Sequence, residues 1–334
     1  MKKLLASLVV FLFFLTASFS IKPLLNFTTS VEAAVTAPDY TISYYMNTVD
    51  PDTLYDMGYA KGEEDRLASG AQDTLVILFL GAQTSNYGAT LWYNPDVTTS
   101  EIEAGIEAYG RGYYIGTGYD TASRIRLVVS TNNSGSYVTY NAGKAWAEMI
   151  NNIGAYLSEN NYDSQVWVFG GNDIEGGWGA PSKAKNWVDG YDSVNNYLYY
   201  DTGDACGCSY DTSYDGKTVL NCDRVDGETW TINDVYYISY GASPALVIPQ
   251  IYNESGKNAK QWKNISKYGN VTKGSFYIHG SITQQGACAQ RGGCSGVNNS
   301  PAQGWTQLWN ELDADSDTRQ STLPYSTDVS WHGE

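Results

Sequence analysis

Two carboxylates, Asp173 and Glu175, stand two residues apart in the segment Val-Phe-Gly-Gly-Asn-Asp-Ile-Glu-Gly-Gly-Trp at 168–178. An apolar run that begins at Val166 and Trp167 leads straight into the first glycine pair. Side chains alternate along an extended chain, so this spacing puts both carboxylates on one face. Like charges that close raise at least one proton affinity, as a general acid working near neutral pH requires. Glycines on either side let backbone and ligand approach closely. The expected chemistry is proton transfer between carboxyl groups and a bound substrate.

Something must hold these groups in place. Short, near-continuous apolar runs recur at Thr74–Leu80, Arg124–Val129, Gln165–Phe169, Tyr197–Tyr200, Ala245–Ile251 and Ser275–Ile278, with a weaker one at Thr41–Tyr45. Between them lie segments of helical period. Trp146, Met149, Ile150, Ile153 and Leu157 share one face, and Trp305, Leu308 and Leu312 share another. Ser100 with Glu103, and Thr231 with Asp234, read as helix caps, and Ser300-Pro301 reads as the start of the last helix. Apolar strands alternating with helices describe a parallel α/β sheet buried on both faces. Seven such runs predict a TIM-type (β/α) barrel, irregular or incompletely closed because no eighth run stands out. The alternative is an open doubly wound sheet, but no glycine-rich nucleotide fingerprint follows the first strands.

In a barrel the reactive residues collect where strands end. Gln83 follows the second run, Asn132 and Asn133 the third, Asp173 and Glu175 the fourth. Asp201 and Asp204 follow the fifth, Gln250 and Asn253 lie around the sixth, and His279 and Gln284 around the seventh.

The N-terminus sets the expected compartment. Lys2 and Lys3 precede an apolar run from Leu4 to Phe19, and small residues follow at Val31-Glu32-Ala33. This pattern predicts a signal peptide over residues 1–33, and therefore a secreted protein with no membrane span once cleaved. Residues 34–334 then form a single barrel domain with a cysteine-containing insertion near 203–229. The chain carries 20 basic and 36 acidic side chains, net −16. The leader holds Lys2, Lys3 and Lys22 against Glu32, so its removal leaves the chain near −18. Such a surface repels nucleic acid and anionic lipid. With 28 Tyr and 10 Trp, the composition instead offers rings that stack on sugar faces and hydroxyls that bond sugar hydroxyls.

The five cysteines read as disulfides in an exported protein. Cys288 and Cys294 bracket a short loop suited to closure. Cys222 pairs with Cys206 or Cys208, leaving one thiol over. No metal and no other cofactor are expected. His279 and His332 are the only histidines, and His332 lies almost at the C-terminus.

Four segments carry a resemblance: Thr-Asn-Asn-Ser-Gly at 131–135, Gly-Gly-Asn-Asp-Ile-Glu at 170–175, Asn-Trp-Val-Asp-Gly-Tyr-Asp at 186–192 and Cys-Ala-Gln-Arg-Gly-Gly-Cys at 288–294. Through them residues 70–328 resemble a family of exported bacterial proteins and, more widely, the glycoside-hydrolase-like (β/α) barrels. Asp173-Ile174-Glu175 is similar to the end of the acidic run in chitinase-type barrels, with Val168 and Gly171 where earlier aspartates would stand. The resemblance implies action on an extracellular or cell-wall polysaccharide, or non-catalytic binding of such a glycan on an enzyme-like barrel. Glycoside hydrolysis needs a proton donor and a second carboxylate. Glu175 is the expected acid. Asp173 is expected to orient the substrate or to keep Glu175 protonated by its charge, and Asp201 to serve as base. Trp178 and Tyr199 are expected to stack on the sugar. The amides of Gln83, Asn132, Asn133 and Gln250, together with His279, are expected to bind it.

Overall fold

The computed structural model describes residues 35–92, 96–120 and 122–333; the expected signal peptide lies outside them. The strands are β1 (Thr41–Tyr45), β2 (Asp73–Gln83), β3 (Arg124–Asn132), β4 (Val166–Asp173), β5 (Tyr199–Asp201), β6 (Ala245–Val247), β7 (Gly280–Thr283) and β8 (Tyr325–Trp331). Between and around them run α1 (Pro51–Leu67), α2 (Thr99–Gly116), α3 (Tyr140–Glu159), α4 (Pro181–Asp192), α5 (Ile232–Tyr236), α6 (Lys257–Tyr268), α7 (Gln285–Gln290) and α8 (Pro301–Asp313). The strands are parallel neighbours in the order β6-β5-β4-β3-β2-β1-β8-β7. This is a (β/α) barrel of eight strands with one seam left unsealed.

The seam lies between β6 and β7. One bridge, Gln250 to Ile282, crosses it. Two backbone bonds flank it, from the Ile251 N–H to the Ile282 carbonyl at 2.8 Å and from the Ile282 N–H to the Pro249 carbonyl at 2.9 Å. The run Ala245–Ile251 yields only three strand residues because Pro249 has no N–H to give a ladder.

The eighth strand, which no apolar run announced, is β8. It pairs with β1 from Thr41↔Thr327 to Tyr45↔Trp331. Its sequence, Tyr-Ser-Thr-Asp-Val-Ser-Trp, is too polar to read as a buried strand. Partners make several of those groups tolerable. Thr327 and Ser43 share a hydroxyl bond of 2.7 Å, and Asp328 accepts from Thr283 Oγ1 at 2.6 Å.

The seventh strand is displaced from the expected Ser275–Ile278 to Gly280–Thr283. The backbone N–H groups of Phe276 and Ile278 are taken by side chains, Asn270 Oδ1 at 2.8 Å and Gln320 Oε1 at 3.1 Å. Those residues therefore pack as an irregular segment. The cap of α2 is also shifted, from Ser100 and Glu103 to Thr98 and Glu101. The caps at Thr231 and Ser300 form as expected.

Alternation along the strands divides the core into two shells. Leu75, Ile77, Phe79, Val128, Phe169 and Tyr200 fill the barrel interior. Val76, Leu78, Leu127, Val129, Val168 and Tyr199 face outward, against helix residues such as Trp146, Trp187 and Trp262. The insertion after β5 carries an antiparallel pair, Asn221–Val225 with Glu228–Thr231. It is closed by the disulfide Cys208–Cys222; a second disulfide joins Cys288 and Cys294. Cys206 is the buried free thiol, which settles the pairing of Cys222. Among the described residues no helix is long and apolar enough to cross a membrane.

Candidate active site

On β4, Trp167 and Phe169 belong to the inner shell and Val166 and Val168 to the outer. The same alternation carries Asp173 and Glu175 onto the inner face, at the mouth of the barrel. A single nitrogen joins them. Gln250 Nε2 donates to Asp173 Oδ1 at 2.7 Å and to Glu175 Oε1 at 3.1 Å. Two oxygens bonded to one nitrogen in this way lie no more than about 6 Å apart.

The backbone of Glu175 is held from two sides. Asn133 Nδ2 donates to the Glu175 carbonyl, and Asn133 Oδ1 accepts from the Glu175 N–H, both at 2.9 Å. The next N–H, of Gly176, donates to Asp204 Oδ1 at 3.1 Å, and the same oxygen accepts from the Cys206 N–H at 2.8 Å. Glycine is required here. A Cβ on Gly176 would meet the Cys206 Cα at 2.5 Å, and one on Gly203 would meet the Ile174 carbonyl oxygen at 1.9 Å. The loops after β4 and β5 therefore lie backbone against backbone.

The carboxyls open into a cleft of ≈ 310 Å³, lined by Tyr45, Trp92, Trp178, Tyr252, Gln284, Arg291 and Trp331, with the Cys288–Cys294 loop as part of its wall. Three rings form a cluster, with centroids 5.1 Å apart for Tyr45 and Trp92, 4.6 Å for Tyr45 and Trp331, and 5.4 Å for Trp92 and Trp331. The Arg291 guanidinium sits 4.7 Å from the Trp331 ring centroid.

Burial dominates the electrostatics. It pushes the Asp173 carboxyl well above its usual range, and the neighbouring Glu175 charge adds to this. Glu175 is pushed up to about 7, by burial first and then by the charge of Asp204, while the Gln250 bond opposes the rise. The pair titrates as one system that retains a proton near neutral pH.

Several expected site residues lie elsewhere. Asp201 points outward from β5 and is fully buried against the helix layer. The Ser239 oxygen lies 2.6 Å from Asp201 Oδ2 and 2.7 Å from the Val235 carbonyl. The Ser239 hydroxyl donates to Asp201 and the Gly203 N–H donates to Asp201 Oδ1 at 3.2 Å; burial raises the Asp201 pKa to about 7 and both bonds oppose the rise. Tyr199 shares that outward face, packed on Trp187 and Tyr191 with its hydroxyl bonded to the Ile238 carbonyl. Tyr200 is the inward neighbour.

Gln83 is consumed between strand and helices. It accepts from Trp187 Nε1 at 2.6 Å and donates to the Ala142 carbonyl at 3.2 Å. Asn133 is spent on the Glu175 backbone, and Asn132 Oδ1 accepts from the Ser134 N–H at 3.0 Å in a local turn. His279 precedes β7 instead of following it, so it sits at the opposite end of that strand from the mouth. There it bonds the Tyr200 hydroxyl at 3.0 Å, and burial lowers its pKa to about 4, leaving it neutral. Of the expected residues, Asp173, Glu175, Trp178 and Gln250 come together.

Tyr45, Trp92, Tyr252, Arg291 and Trp331 were not anticipated. Tyr45 ends β1 and Trp331 ends β8, so the rule that strand ends carry the site would have found both. A larger hollow of ≈ 580 Å³ opens beside α1, between Val49, Leu91, Val97 and Ala104. Its carboxylates, Asp50 and Glu101, are committed to capping α1 and α2. Among the described residues no group of three or more His, Cys, Asp or Glu side chains is arranged to hold a metal ion. The chain matches no protein-family model and no curated protein.

Proposed function

We propose that the protein is a secreted glycoside hydrolase acting on extracellular or cell-wall polysaccharide, with Glu175 as general acid. The observation that carries this reading is the carboxyl pair on the cleft floor, bridged by Gln250 Nε2. With the shared proton on Glu175, that group can protonate the departing glycosidic oxygen. Asp173 is then ionised and faces the positive charge that develops at the anomeric carbon. It takes the place that sequence reasoning gave to Asp201. A separation of at most about 6 Å is too short for the water of an inverting enzyme. Trp178 and the Trp92–Trp331 pair offer apolar faces to sugar rings, and the amides of Gln250 and Gln284 suit hydroxyls. Two disulfides fit an oxidising compartment.

A second reading, a non-catalytic glycan-binding protein, draws support from the burial of Asp173, only 4% exposed. Glu175 is then the one half-open carboxyl of the pair. Purified protein incubated with cell-wall polysaccharides separates the two. Release of reducing ends supports hydrolysis, and retention without release supports binding alone. Neither release nor retention on a broad glycan panel overturns both.

A further inference from the structure

We propose that Asn133 is a positioning residue whose side-chain amide stands in for a strand backbone and holds Glu175 on the inner face of the barrel. The inference rests on the acid role proposed above. Alternation carries a side chain to one face only while the chain stays extended, and an extended chain needs a partner for its N–H and carbonyl groups. The ladder between β3 and β4 ends at Asn132↔Asp173, two residues short of Glu175.

The hydrogen bonds past that point change from main chain to side chain. In a parallel ladder a residue donates its N–H to one partner residue and accepts from the residue two further along the partner strand. The Asn133 N–H donates to the Asp173 carbonyl at 3.3 Å. The next regular bond would run from the Glu175 N–H to the main-chain carbonyl of Asn133. It runs instead to Asn133 Oδ1, at 2.9 Å. The main-chain carbonyl oxygen lies against Gly179, where a Cβ would meet it at 3.3 Å. Asn132 prepares this exchange, because its Oδ1 accepts from the Ser134 N–H at 3.0 Å and closes the turn that ends β3.

Asn133 Nδ2 also donates to the Glu175 carbonyl at 2.9 Å, so one amide takes both polar groups of one residue. Of the side chains, only those of Asn and Gln carry a carbonyl beside N–H donors, as a peptide group does. Asn133 is only 2% exposed, so water does not compete for these bonds. The other ties near the acid act elsewhere. Gln250 holds its carboxyl, Asp204 holds the Gly176 N–H, and the Trp178 N–H donates to the Glu175 carbonyl at 3.1 Å. Among the described residues, Asn133 alone takes the Glu175 N–H.

Asn133→Ala tests this. Trp178 keeps its own bond to the Glu175 carbonyl, so KM should change little, while kcat per folded molecule should fall by ~10-fold or more. Carboxyl ¹³C NMR titration of Glu-labelled protein, with Glu175 assigned through Glu175→Gln, gives a readout without substrate. Released from the inner face, Glu175 should titrate below its wild-type value of about 7. Asn133→Gln, which keeps the amide, should restore part of both losses. A purely structural Asn133 would lower the melting temperature yet leave kcat and the Glu175 titration of the folded fraction unchanged, and that result overturns the proposal. Amide hydrogen exchange in the wild type needs no variant to fold. The Glu175 N–H should be protected like the amides of β4, and free exchange at Glu175 also overturns the proposal. A wild type that releases no glycan defeats the acid role, and exchange and titration then still decide whether the amide holds Glu175.

Discussion

Glu175 and Asp201 are both carboxyls raised to about 7, and burial is the main cause for each. They lie at the same end of adjacent strands, yet one faces a cleft and the other faces Ser239. The outward carboxyl has every bond completed inside the protein. The inward one shares its nitrogen donor with a second acid and borders open space. Elevated proton affinity alone therefore does not mark chemistry in this molecule. What separates the two groups is the side of the sheet on which alternation placed them.

The largest expected effect tests that separation directly. Glu175→Gln should lower hydrolysis by ~10²-fold or more with little change in melting temperature, because it removes a transferable proton and keeps the shape. Asp201→Asn should leave the rate per folded molecule unchanged, since Asp201 is buried against the helix layer, away from the cleft, and the amide oxygen can still accept from Ser239. Rates measured beside thermal melts check both, and a rate loss in Asp201→Asn would erase the distinction.

Next come the two disulfides, one in the insertion after β5 and one in the cleft wall. Cys208–Cys222 spans 14 residues in the insertion after β5, and Cys288–Cys294 spans 6 in the cleft wall. Chain-entropy arguments assign about 3 kcal/mol to the former and about 2 kcal/mol to the latter. Only loss of the second should also weaken glycan retention. Paired Cys→Ser variants, compared by denaturant melts and polysaccharide pull-down, test the ranking. Equal loss of retention in both would show that the cleft wall is not a separate unit.

The smallest effect is a slope. Asp201 holds its proton up to about 7 in the fold, against 3.8 ordinarily, and Glu175 up to about 7 against 4.5. Between those values the folded state binds more protons than the unfolded chain, so stability falls as pH rises. The contribution of Asp201 is fully present below 3.8 and lost as pH climbs through about 7. Melting temperatures from pH 4 to 8 should decline, and Asp201→Asn should flatten the decline. A slope unaltered by that substitution would show that Asp201 is ionised in the fold.

Much of this arrangement was legible in the sequence because period-two alternation survives to the strand end. It put Asp173 and Glu175 on one face, and the order of apolar runs put them on the fourth strand. Residues on other strands needed a register that no single run contains. Tyr199 and Asp201 lie on β5 but on its outer face, and their inward neighbour Tyr200 bonds His279 away from the mouth. Gln83 and Asn133 were correctly placed at strand ends, yet each is occupied by a partner distant in sequence, Trp187 and Glu175. His279 was misplaced because side chains from elsewhere satisfy the segment before β7. Trp331 was missed because β8 hides its strand character behind polar residues that find buried partners.

The seam gives the barrel a grain. Seven of the eight inter-strand junctions are ladders, while β6 and β7 are held by a bridge and a few backbone bonds. A wall of this kind parts along its weakest joint, as a hoop opens at its clasp. Gln250 is a member of that clasp, and it is also the residue whose amide links Asp173 to Glu175. Parting the seam would leave that amide with the two acids, because the Gln250 backbone N–H donates to the Gly203 carbonyl and β6 pairs with β5, which pairs with β4. The acid pair and its bridging amide thus sit together on one bank of the joint, with Ile282 on the other.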